Sequence, residues 1–384
     1  MKHKKIPINK PSITELEVSY VNDAMINGWG EQCYHYIHRF EKDFAAYKDT
    51  KFALATSSCT GAIHLALMAL GVEAGDEVIV PELTWIASVS PVMYVGAKPV
   101  FVDVLRDTWC IDPAEIRKAI GPKTKAIIVA HLYGNVCEMD EIMAIAKEHN
   151  LVVLEDAAEG LGSSYKGRKA GSIGDAGVFS FHGTKTMTTG EGGMLVTNNK
   201  AVFERATILN NHGRNQNDPE HQMFWMRDYG YKYKISNLQA ALGCAQLARM
   251  DELVAKKRTV FNWYKELLAD IPCQVNPELP GTVNGYWMPT VVFDEGANFD
   301  REVFLKQVND HGIDCRPFFF PLSSLPMFEE KPENKVAYDI YERGVNLPSF
   351  HDIEHADTVK VISVLNKVLQ AYLANIMFLG PFIV

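Results

Sequence analysis

The sequence predicts an α/β fold: a mostly parallel central sheet with helices on both faces, followed by a smaller C-terminal α+β domain. Two observations support this prediction. Over the first 250 residues, short apolar runs alternate with segments of helical period. These runs are continuously apolar, as in strands that are buried on both faces of a parallel sheet. After residue 235 the pattern changes to a long helical stretch and then to short mixed elements.

Several short runs of the first part, rich in β-branched residues, are predicted to be strands. They are EVIVP (77–81), PVFVDV (99–104), KAIIVAHLYG (125–134), LVVLEDAA (151–158), GVFSFHG (177–183) and GGMLVTN (192–198). Helical patterns lie between them, over 60–70, around 84–95 and near 138–149. Parallel strands need such crossover connections, so the sequence predicts successive β-α-β units.

These patterns divide the chain into three parts. A large domain with an N-terminal segment is predicted over 1–235. One long helical pattern over 236–270, with charged residues outside an apolar stripe, is predicted to connect it to a small domain over 271–384. The small domain has a strand signal at 286–293 and a helical pattern near 300–311.

Composition argues against several classes of protein. Asp and Glu number 47 and Lys and Arg 38, which gives a net charge of −9. This balance argues against a nucleic-acid partner, although a few local donors are enough to bind a small anionic ligand. No apolar run reaches the ~18 residues of a membrane span, so no membrane partner is expected. The apolar tail Ile376–Val384 is expected to pack on the protein body or on a partner chain.

The cysteine pattern and the N-terminal residues bear on location. The seven cysteines are scattered and include no Cys-x-x-Cys motif. A disulfide framework or a zinc site is therefore not expected, no metal site is predicted, and a reducing cytoplasm fits best. The basic start MKHKKIPINK is followed by no apolar core, so it does not have the pattern of a signal peptide.

The densest chemical signal is the motif FSFHGTKTMTTGEGG (179–193). A strand ends there in a polar loop, and Lys185 is flanked mostly by small hydroxyl and glycine residues. Such a lysine can be desolvated enough to act as a nucleophilic amine. The alternative is a surface loop with a solvated lysine.

A second signal is Asp156, at the end of the strand LVVLED. Ligands of parallel α/β sheets bind at the carboxyl ends of the strands. An acid there can cap a helix, bind a metal, or pair with a protonated ring nitrogen. Pyridoxal phosphate (PLP) needs the last of these roles, because the acidic partner keeps its ring an electron sink.

Two further motifs follow strand ends. SSCTGA (57–62) is a turn of small residues that leads into a helix, where backbone N–H groups can bind phosphate or a side chain can simply cap the helix. Trp85 in PELTWIAS (81–88) could stack on a flat cofactor or belong to the core. Taken together, the four motifs supply a phosphate turn, an aromatic ring, an acid and a lysine. That order is the layout of a fold-type I PLP enzyme.

Several motifs resemble the sugar-nucleotide aminotransferases of the DegT/DnrJ/EryC1/StrS family. They are NKPSITELE (9–17), SSCTGAIHLAL (57–67), PELTWIAS, EDAAEGLGS (155–163), the lysine motif and GYKYKISNLQAALG (230–243). The resemblance covers almost the whole chain, and the lysine and EDAA motifs are highly specific. Within the family, AAEGLGS, GYKYKISN, NGYWM and RPFFFPL are most similar to the branch that makes GDP-perosamine.

The resemblance implies a role for each matching residue. Lys185 would hold PLP covalently and, once released by the substrate, would move the proton between the sugar carbon and the cofactor carbon. Asp156 would pair with the pyridine nitrogen, and Trp85 would stack on the ring. The phosphate would be held by the backbone of Cys59 and Thr60, the Thr60 hydroxyl and Ser180.

Other positions carry the family's pattern less closely. Glu159 stands where glutamine is common and would lie near the phenolic oxygen of PLP. Lys232 stands where the family often has an asparagine that reaches the cofactor phosphate of the neighbouring subunit; a lysine could do this as a point charge. The phosphate turn reads Ser-Cys-Thr-Gly where Asn-Gly-Thr-Ala is common, which leaves the backbone contacts possible. His182 would line the sugar pocket or be an ordinary loop histidine.

The resemblance also implies a reaction. Glutamate would donate its amino group, and a nucleotide-linked 4-keto-6-deoxy sugar, with GDP-4-keto-6-deoxymannose favoured, would accept it, for an O-antigen or a similar glycan. The diphosphate needs donors, for which Arg214, Arg227, Lys232 and Arg316 are candidates or else surface charges. A homodimer with both active sites at the interface is expected.

Rival functions remain open from the sequence. A family member acting on a dTDP- or UDP-ketosugar is one. A PLP-dependent sugar dehydratase is disfavoured because that branch has histidine at the position of Lys185. A non-catalytic regulator usually loses the lysine or the acid, and a Rossmann dehydrogenase would need a Gly-x-Gly-x-x-Gly motif after the first strand.

Overall fold

The computed structural model describes residues 5–215, 224–295 and 300–379, and side chains of the last helix as far as residue 371. The described residues up to position 200 form nine strands: β1 Phe52–Thr56, β2 Glu77–Pro81, β3 Lys98–Val102, β4 Thr124–Ala130, β5 Val152–Asp156, β6 Ser164–Tyr165, β7 Arg168–Lys169, β8 Ala176–Ser180 and β9 Gly193–Thr197. The strand runs identified in the sequence correspond to β2, β3, β4, β5, β8 and β9. Strands β1, β6 and β7 were not predicted.

Seven of these strands form the central sheet in the order β1-β9-β8-β5-β4-β2-β3. The pairs β8-β5, β5-β4, β4-β2 and β2-β3 are parallel. Strand β9 runs antiparallel to both of its neighbours, β1 and β8. Since both neighbours oppose β9, they run in the direction of the rest, and the predicted mostly parallel sheet is confirmed.

The helices of this part are α1 Glu15–Asn27, α2 His35–Tyr47, α3 Cys59–Ala69, α4 Ser90–Tyr94, α5 Pro113–Ala119, α6 Met139–Glu148 and α7 Lys200–Asn210. Alternate residues of the strands point into different cores. Val78, Val80 and Leu154 pack in one core with α3, whereas Ile79 and Val153 pack in another with α6. Both faces of the sheet are therefore buried, which explains why the strands are apolar at every position.

The helical stretch 236–270 is not one helix, as its pattern predicted, but two: α8 Asn237–Ala248 and α9 Met250–Leu267. Arg249 lies between them with φ −106° and ψ 10°, and its guanidinium binds the buried carboxylate of Glu17 at 2.6 Å. Helix α8 packs against α1 and α2, whereas α9 packs against the C-terminal helix. The apolar stripe continues across the break because Leu247 of α8 and Leu253 of α9 pack in the same core, with α2.

The C-terminal part contains a four-stranded antiparallel sheet in the order β10-β12-β14-β13. Its elements are β10 Cys273–Val275, β11 Thr282–Val283, β12 Thr290–Phe293, α10 Arg301–Asp310, β13 Arg316–Pro317, α11 Lys335–Arg343, β14 Gly344–Asn346 and α12 His355–Leu379. Strand β11 instead joins β6 and β7 in a three-stranded sheet. This arrangement is the small α+β unit that the sequence predicted; the domain boundaries themselves stay a prediction.

The N-terminal segment connects the two parts. Ile6 forms a bridge with Ile313 of the small unit, and the amide of Asn9 donates to the backbone oxygen of Thr184 in the lysine motif. The ammonium of Lys10 pairs with Asp352 at 2.6 Å. This segment therefore binds the loop that carries Lys185 to the C-terminal part of the chain.

Among the described residues, no helix has both the length and the apolar character that a membrane crossing requires. The apolar tail that was expected to pack on the body or on a partner begins within α12. Its side chains lie outside the described residues, so that expectation stays a prediction.

Candidate active site

Four strand ends meet at one edge of the central sheet. Strands β1, β2, β5 and β8 run in the same direction, so their carboxyl ends lie side by side. Asp156 ends β5 and Ser180 ends β8, while Trp85 follows β2 and Cys59 follows β1. The four motifs identified in the sequence thus share the edge where ligands of such sheets bind.

The carboxylate of Asp156 is buried and firmly oriented. The hydroxyl of Ser88 donates to Oδ2 at 2.6 Å, and the amide of Ala158 donates to Oδ1 at 3.0 Å. Thr84 Oγ1 lies 2.9 Å from the Ser88 hydroxyl, and since Ser88 gives its proton to Asp156, Thr84 is the donor there. A carboxylate held in this way can accept a further hydrogen bond from a cationic N–H group.

Lys185 lies in a loop whose backbone is fixed from both ends. Its amide donates to the carbonyl of His182 at 2.9 Å, and the amide of Thr189 donates to the carbonyl of Phe181 at 2.9 Å. The side chain is 13% exposed, and Nζ lies 3.1 Å from Oε1 of Glu159. The loop therefore directs the amine into the protein, which excludes the alternative of a solvated surface lysine.

Glu159 is the buried partner of that amine. Besides Lys185, it accepts a hydrogen bond from the backbone amide of Tyr133, at 2.8 Å on Oε2. Burial raises the pKa of this carboxyl, although the Lys185 charge and the Tyr133 amide lower it. The amine and the carboxyl are within hydrogen-bond distance of each other, which suits a site where protons are moved.

The turn after β1 forms the start of α3. The hydroxyl of Ser58 caps this helix by accepting from the amide of Gly61 at 3.0 Å. Gly193 packs directly on the turn: a Cβ there would lie 2.5 Å from the backbone nitrogen of Cys59. Helix capping and phosphate binding are compatible here, because Cys59 and Thr60 contribute further first-turn N–H groups to the helix end.

Cys59 shares one electrostatic environment with the amine and both acids. Burial raises the pKa of its thiol, the carboxylate of Asp156 raises it further, and the charge of Lys185 lowers it. The structure thus brings together Cys59, Asp156, Glu159 and Lys185, although they are as far as 126 positions apart in the chain.

Ser180 and His182 border the lysine loop. Ser180 is buried, and its hydroxyl accepts from the amide of His182 at 3.3 Å. The His182 ring is half exposed, with Nδ1 3.0 Å from the hydroxyl of Thr184. This position allows His182 to face a ligand, and it also fits the alternative of an ordinary loop histidine.

Trp85 is largely exposed for a residue of its size, at 58%. Its ring lies 5.7 Å from that of Phe319 in the C-terminal unit, at an interplanar angle of 42°. It is therefore not the core residue that the sequence left possible. The ring is free to cover a ligand at the edge of the sheet.

The basic candidates lie further out. Arg316 pairs with Asp314 at 3.0 Å and is 60% exposed, and Lys232 is exposed beside Asn211, with which it forms a backbone bridge. Arg214 and Arg227 flank residues 216–223, which lie outside the described part of the chain, and Arg227 stands 5.4 Å from the Trp225 ring. The roles assigned to these residues from the sequence stay predictions.

Sequence reasoning missed two residues of the site, Tyr133 and Trp287. Tyr133 is fully buried with φ 55°, and its amide holds Glu159. Trp287 covers the amine of Lys185, with Nζ 3.7 Å from the ring centroid. Both occur in quoted motifs, KAIIVAHLYG and NGYWM, but only the fold brings them to the lysine.

Glu155, beside Asp156 in the chain, serves the fold. It is fully buried and accepts from the amides of Gly171 at 2.8 Å and Gly174 at 2.6 Å. His131 Nδ1 accepts from the amide of Cys137 at 3.3 Å, so Nε2 carries the proton and donates to Glu155 at 2.9 Å. Burial alone would raise the pKa of Glu155, but these hydrogen bonds bring it below its usual value.

Comparison with known proteins shows the family to which this chain belongs. The model of the DegT/DnrJ/EryC1/StrS aminotransferase family matches residues 11–366. The GDP-perosamine synthases of Escherichia coli O157:H7 and Caulobacter vibrioides are each 40% identical, over 95% of this chain and 98% of theirs.

A solved structure has the same fold. It is a chain from Streptococcus pneumoniae named as a sugar aminotransferase, Spr1654, in PMP and PLP forms. The PMP form is 28% identical, with a TM-score of 0.90 over 96% of this chain and 99% of its own. The expected fold is therefore confirmed, and with the family match over nearly the whole chain, this protein belongs to the DegT/DnrJ/EryC1/StrS aminotransferase family.

Proposed function

We propose that this enzyme transfers the amino group of glutamate to GDP-4-keto-6-deoxymannose and so forms GDP-perosamine for an O-antigen or a similar glycan. The observation that carries the proposal is the buried amine of Lys185, 3.1 Å from Glu159, at the sheet edge that also holds Asp156. The nucleotide and sugar are taken from three relatives of 37–40% identity, all named GDP-perosamine synthase.

PLP is the cofactor of this aminotransferase, as the sequence predicted, and its residues fit the group. A buried carboxylate with fixed donors suits a cationic ring nitrogen, and a capped helix start against Gly193 suits a phosphate. When bound, PLP supplies an aldehyde for an amine and a ring that takes up electrons. Lys185 would hold it covalently and Asp156 would hold the ring nitrogen.

The remaining cofactor contacts are assigned by position. The backbone of Cys59 and Thr60, with the hydroxyls of Thr60 and Ser180, would bind the phosphate. Glu159 would lie at the phenolic oxygen and Trp85 over the ring. The support is their common location at one sheet edge, and for Cys59 its electrostatic coupling to Asp156 and Lys185.

The chain's own groups account for the proton movements of an amino transfer. The Lys185 amine is within hydrogen-bond distance of a carboxyl whose pKa is raised, so a proton can be exchanged between them at Nζ and Oε1. The cation–π contact with Trp287 and the low exposure of the pair keep bulk water from this exchange. Asp156, whose two oxygens are held by Ser88 and Ala158, would orient the ring nitrogen.

A homodimer with shared active sites belongs to the same proposal. Several large apolar side chains are exposed in the single chain, among them Ile26, Trp29, Met93, Tyr94 and Tyr229. Tyr94 and Tyr229 belong to one aromatic patch, because Tyr94 contacts His64, which contacts Tyr231, which contacts Tyr229. A contiguous exposed patch of this kind suggests a surface that a partner covers. Lys232, which the family resemblance assigns to the neighbour's phosphate, lies in the same part of the chain as Tyr229 and is exposed.

Binding of the sugar nucleotide is assigned to basic residues outside the core. Arg214, Arg227 and Arg316 are proposed to meet the diphosphate, and His182 the sugar. The half-exposed His182 ring next to the lysine loop supports the last assignment. A cytoplasmic location is also proposed, because all seven cysteines are free thiols.

The decisive experiment offers the purified protein, with PLP and glutamate, a panel of GDP-, dTDP- and UDP-linked 4-keto-6-deoxy sugars. Mass spectrometry should find the amino sugar from the GDP substrate and 2-oxoglutarate in equal amount. Turnover of only a dTDP or UDP sugar would contradict the perosamine assignment and keep the enzyme class. Deoxygenation of the sugar without net amine transfer would indicate the dehydratase instead.

A further inference from the structure

The amine of Lys185 is enclosed by two groups that favour a cation. On one side Oε1 of Glu159 lies 3.1 Å from Nζ, and on another the indole ring of Trp287 lies with its centroid 3.7 Å from the same atom. The indole is 6% exposed, so this contact is shielded from water. A desolvated ammonium over an aromatic face is attracted more strongly than an exposed one.

Trp287 also fixes the backbone that carries the amine. Its Nε1–H donates to the carbonyl oxygen of Thr184 at 2.7 Å, and the side-chain amide of Asn9 donates to that same oxygen. Thr184 directly precedes Lys185 in the chain. Trp287, which belongs to the C-terminal part of the chain, thus contacts both the side-chain nitrogen of Lys185 and the backbone just before this residue.

The position of Trp287 is itself well determined. Its ring stacks on that of Tyr133 at 6.1 Å and 22°, and its carbonyl accepts from the hydroxyl of Ser349 at 3.2 Å. The preceding residue, Tyr286, stacks on Phe261 at 3.6 Å and 6°. Since the amide of Tyr133 holds Glu159, the same tyrosine supports both partners of the amine.

We propose that Trp287 is a positioning residue, which holds the amine of Lys185 in the active site whenever that amine is not bonded to the cofactor. The proposal rests on the proposed function in one respect, namely that Lys185 is the lysine that carries PLP. It assigns to the C-terminal part of the chain a direct contact with the reacting nitrogen.

The test uses the cofactor-free protein and N-hydroxysuccinimidyl acetate, which acetylates neutral, accessible amines. The rate at which each lysine is acetylated is followed by peptide mass spectrometry. In Trp287→Leu the ammonium loses its aromatic face and becomes more exposed, so Lys185 should react about tenfold faster. In Trp287→Phe an aromatic face remains, so the rate should stay within about threefold of the original.

Two controls separate positioning from general loosening. Lys48 is fully buried, with Nζ 4.6 Å from the Phe179 ring, and should react at an unchanged slow rate in every variant. Trp263→Leu removes an indole that faces His355 and should leave Lys185 unaffected. An unchanged Lys185 rate in Trp287→Leu, equal rates in the Leu and Phe variants, or a parallel rise at Lys48 would each overturn the proposal.

A separate measurement tests the proposed function on which this rests. Lys185→Ala with added PLP, reduced with borohydride and freed of unbound PLP by gel filtration, should lack the covalently attached cofactor that the original protein keeps after the same treatment. Retention of covalently attached cofactor would refute the role of Lys185, whatever the acetylation rates. Its loss, together with an unchanged acetylation rate in Trp287→Leu, would refute the positioning inference alone.

Discussion

At the scale of single residues, the site is defined by how completely its polar groups are held. Asp156 accepts from Ser88 and Ala158, and Glu159 accepts from Tyr133 and Lys185. Neither carboxyl is left to rotate. Because a buried polar group without partners is costly, such pairing is expected in any core; here it also fixes two acids that interact electrostatically with each other.

Replacing Asp156 tests this arrangement. Asp156→Asn keeps the shape but removes the charge that would hold a cationic ring nitrogen, so kcat with the GDP sugar should fall about 100-fold or more. Ser88→Ala keeps the carboxylate and removes one donor, so its loss should be clearly smaller. Steady-state kinetics at saturating PLP measure both. If Asp156→Asn is as active as Ser88→Ala, the proposed role of the Asp156 charge is contradicted.

At the scale of elements, helix α9 is held in place by a lysine whose side chain is buried in the protein. Lys257 is fully buried, and its ammonium donates to the carbonyl and, at 3.1 Å, to the hydroxyl of Ser349. The same hydroxyl donates to the carbonyl of Trp287. Burial lowers the pKa of Lys257 to about 7. Helix α9 is therefore connected to Ser349 of the small unit, and through it to Trp287, by a lysine whose pKa lies near neutral pH.

A Lys257→Met variant should reveal that titration in its stability. The unfolded chain keeps its proton up to about pH 10.5 and the folded protein only to about 7, so between these values the unfolded state binds more protons. The free energy of unfolding of the original protein therefore rises with pH relative to the variant, by about 1 kcal/mol per pH unit. Denaturant unfolding at pH 7, 8 and 9, at one protein concentration, measures it.

The matched control is Lys256→Met. Lys256 is the neighbouring lysine, half exposed and paired with Glu252 at 2.7 Å, so its removal should give no such slope. His351 also faces Lys257, but burial lowers its pKa to about 3, outside the range tested. Equal slopes in the two variants would mean that Lys257 does not titrate in the folded protein near neutral pH.

At the scale of the whole molecule, the question is whether one chain completes the site of another. Lys232 lies between Tyr231 and Tyr233, whose rings stack on one another at 5.5 Å and both contact His64. In an extended segment the intervening side chain points the opposite way, and Lys232 is exposed. This geometry supports a contact made across a subunit interface.

Mixed subunits test the shared site directly. Lys185→Ala and Lys232→Ala should each be weakly active alone. After joint refolding, a mixed dimer would combine an intact Lys185 with the neighbour's intact Lys232 in one of its two sites. The mixture should then recover about a quarter of the original activity, because half of the dimers are mixed. If dimers form but the mixture recovers no activity, Lys185 and Lys232 of the same subunit belong to one site.

Much of the fold could be predicted because it follows from local pattern. The continuous apolar runs of β2, β4 and β5 reflect burial on both faces, and α3 begins at its capping serine. The exceptions have physical causes. β1 was overlooked, and the stretch 236–270 divides at Arg249, where the buried Glu17 pairs with it. That partner lies 232 positions away, so periodicity alone carries no sign of it.

By itself, the sequence determined the sheet, the edge at which the site was predicted and the two residues to which the proposed chemistry is assigned, Lys185 and Asp156. It could do so because strand ends and the residues that follow them are local features. Tertiary structure alone decided what surrounds the amine: Tyr133, Trp287 and the pairing with Glu159. These contacts join distant segments, and their strength comes from shared burial, which exists only once the chain is folded.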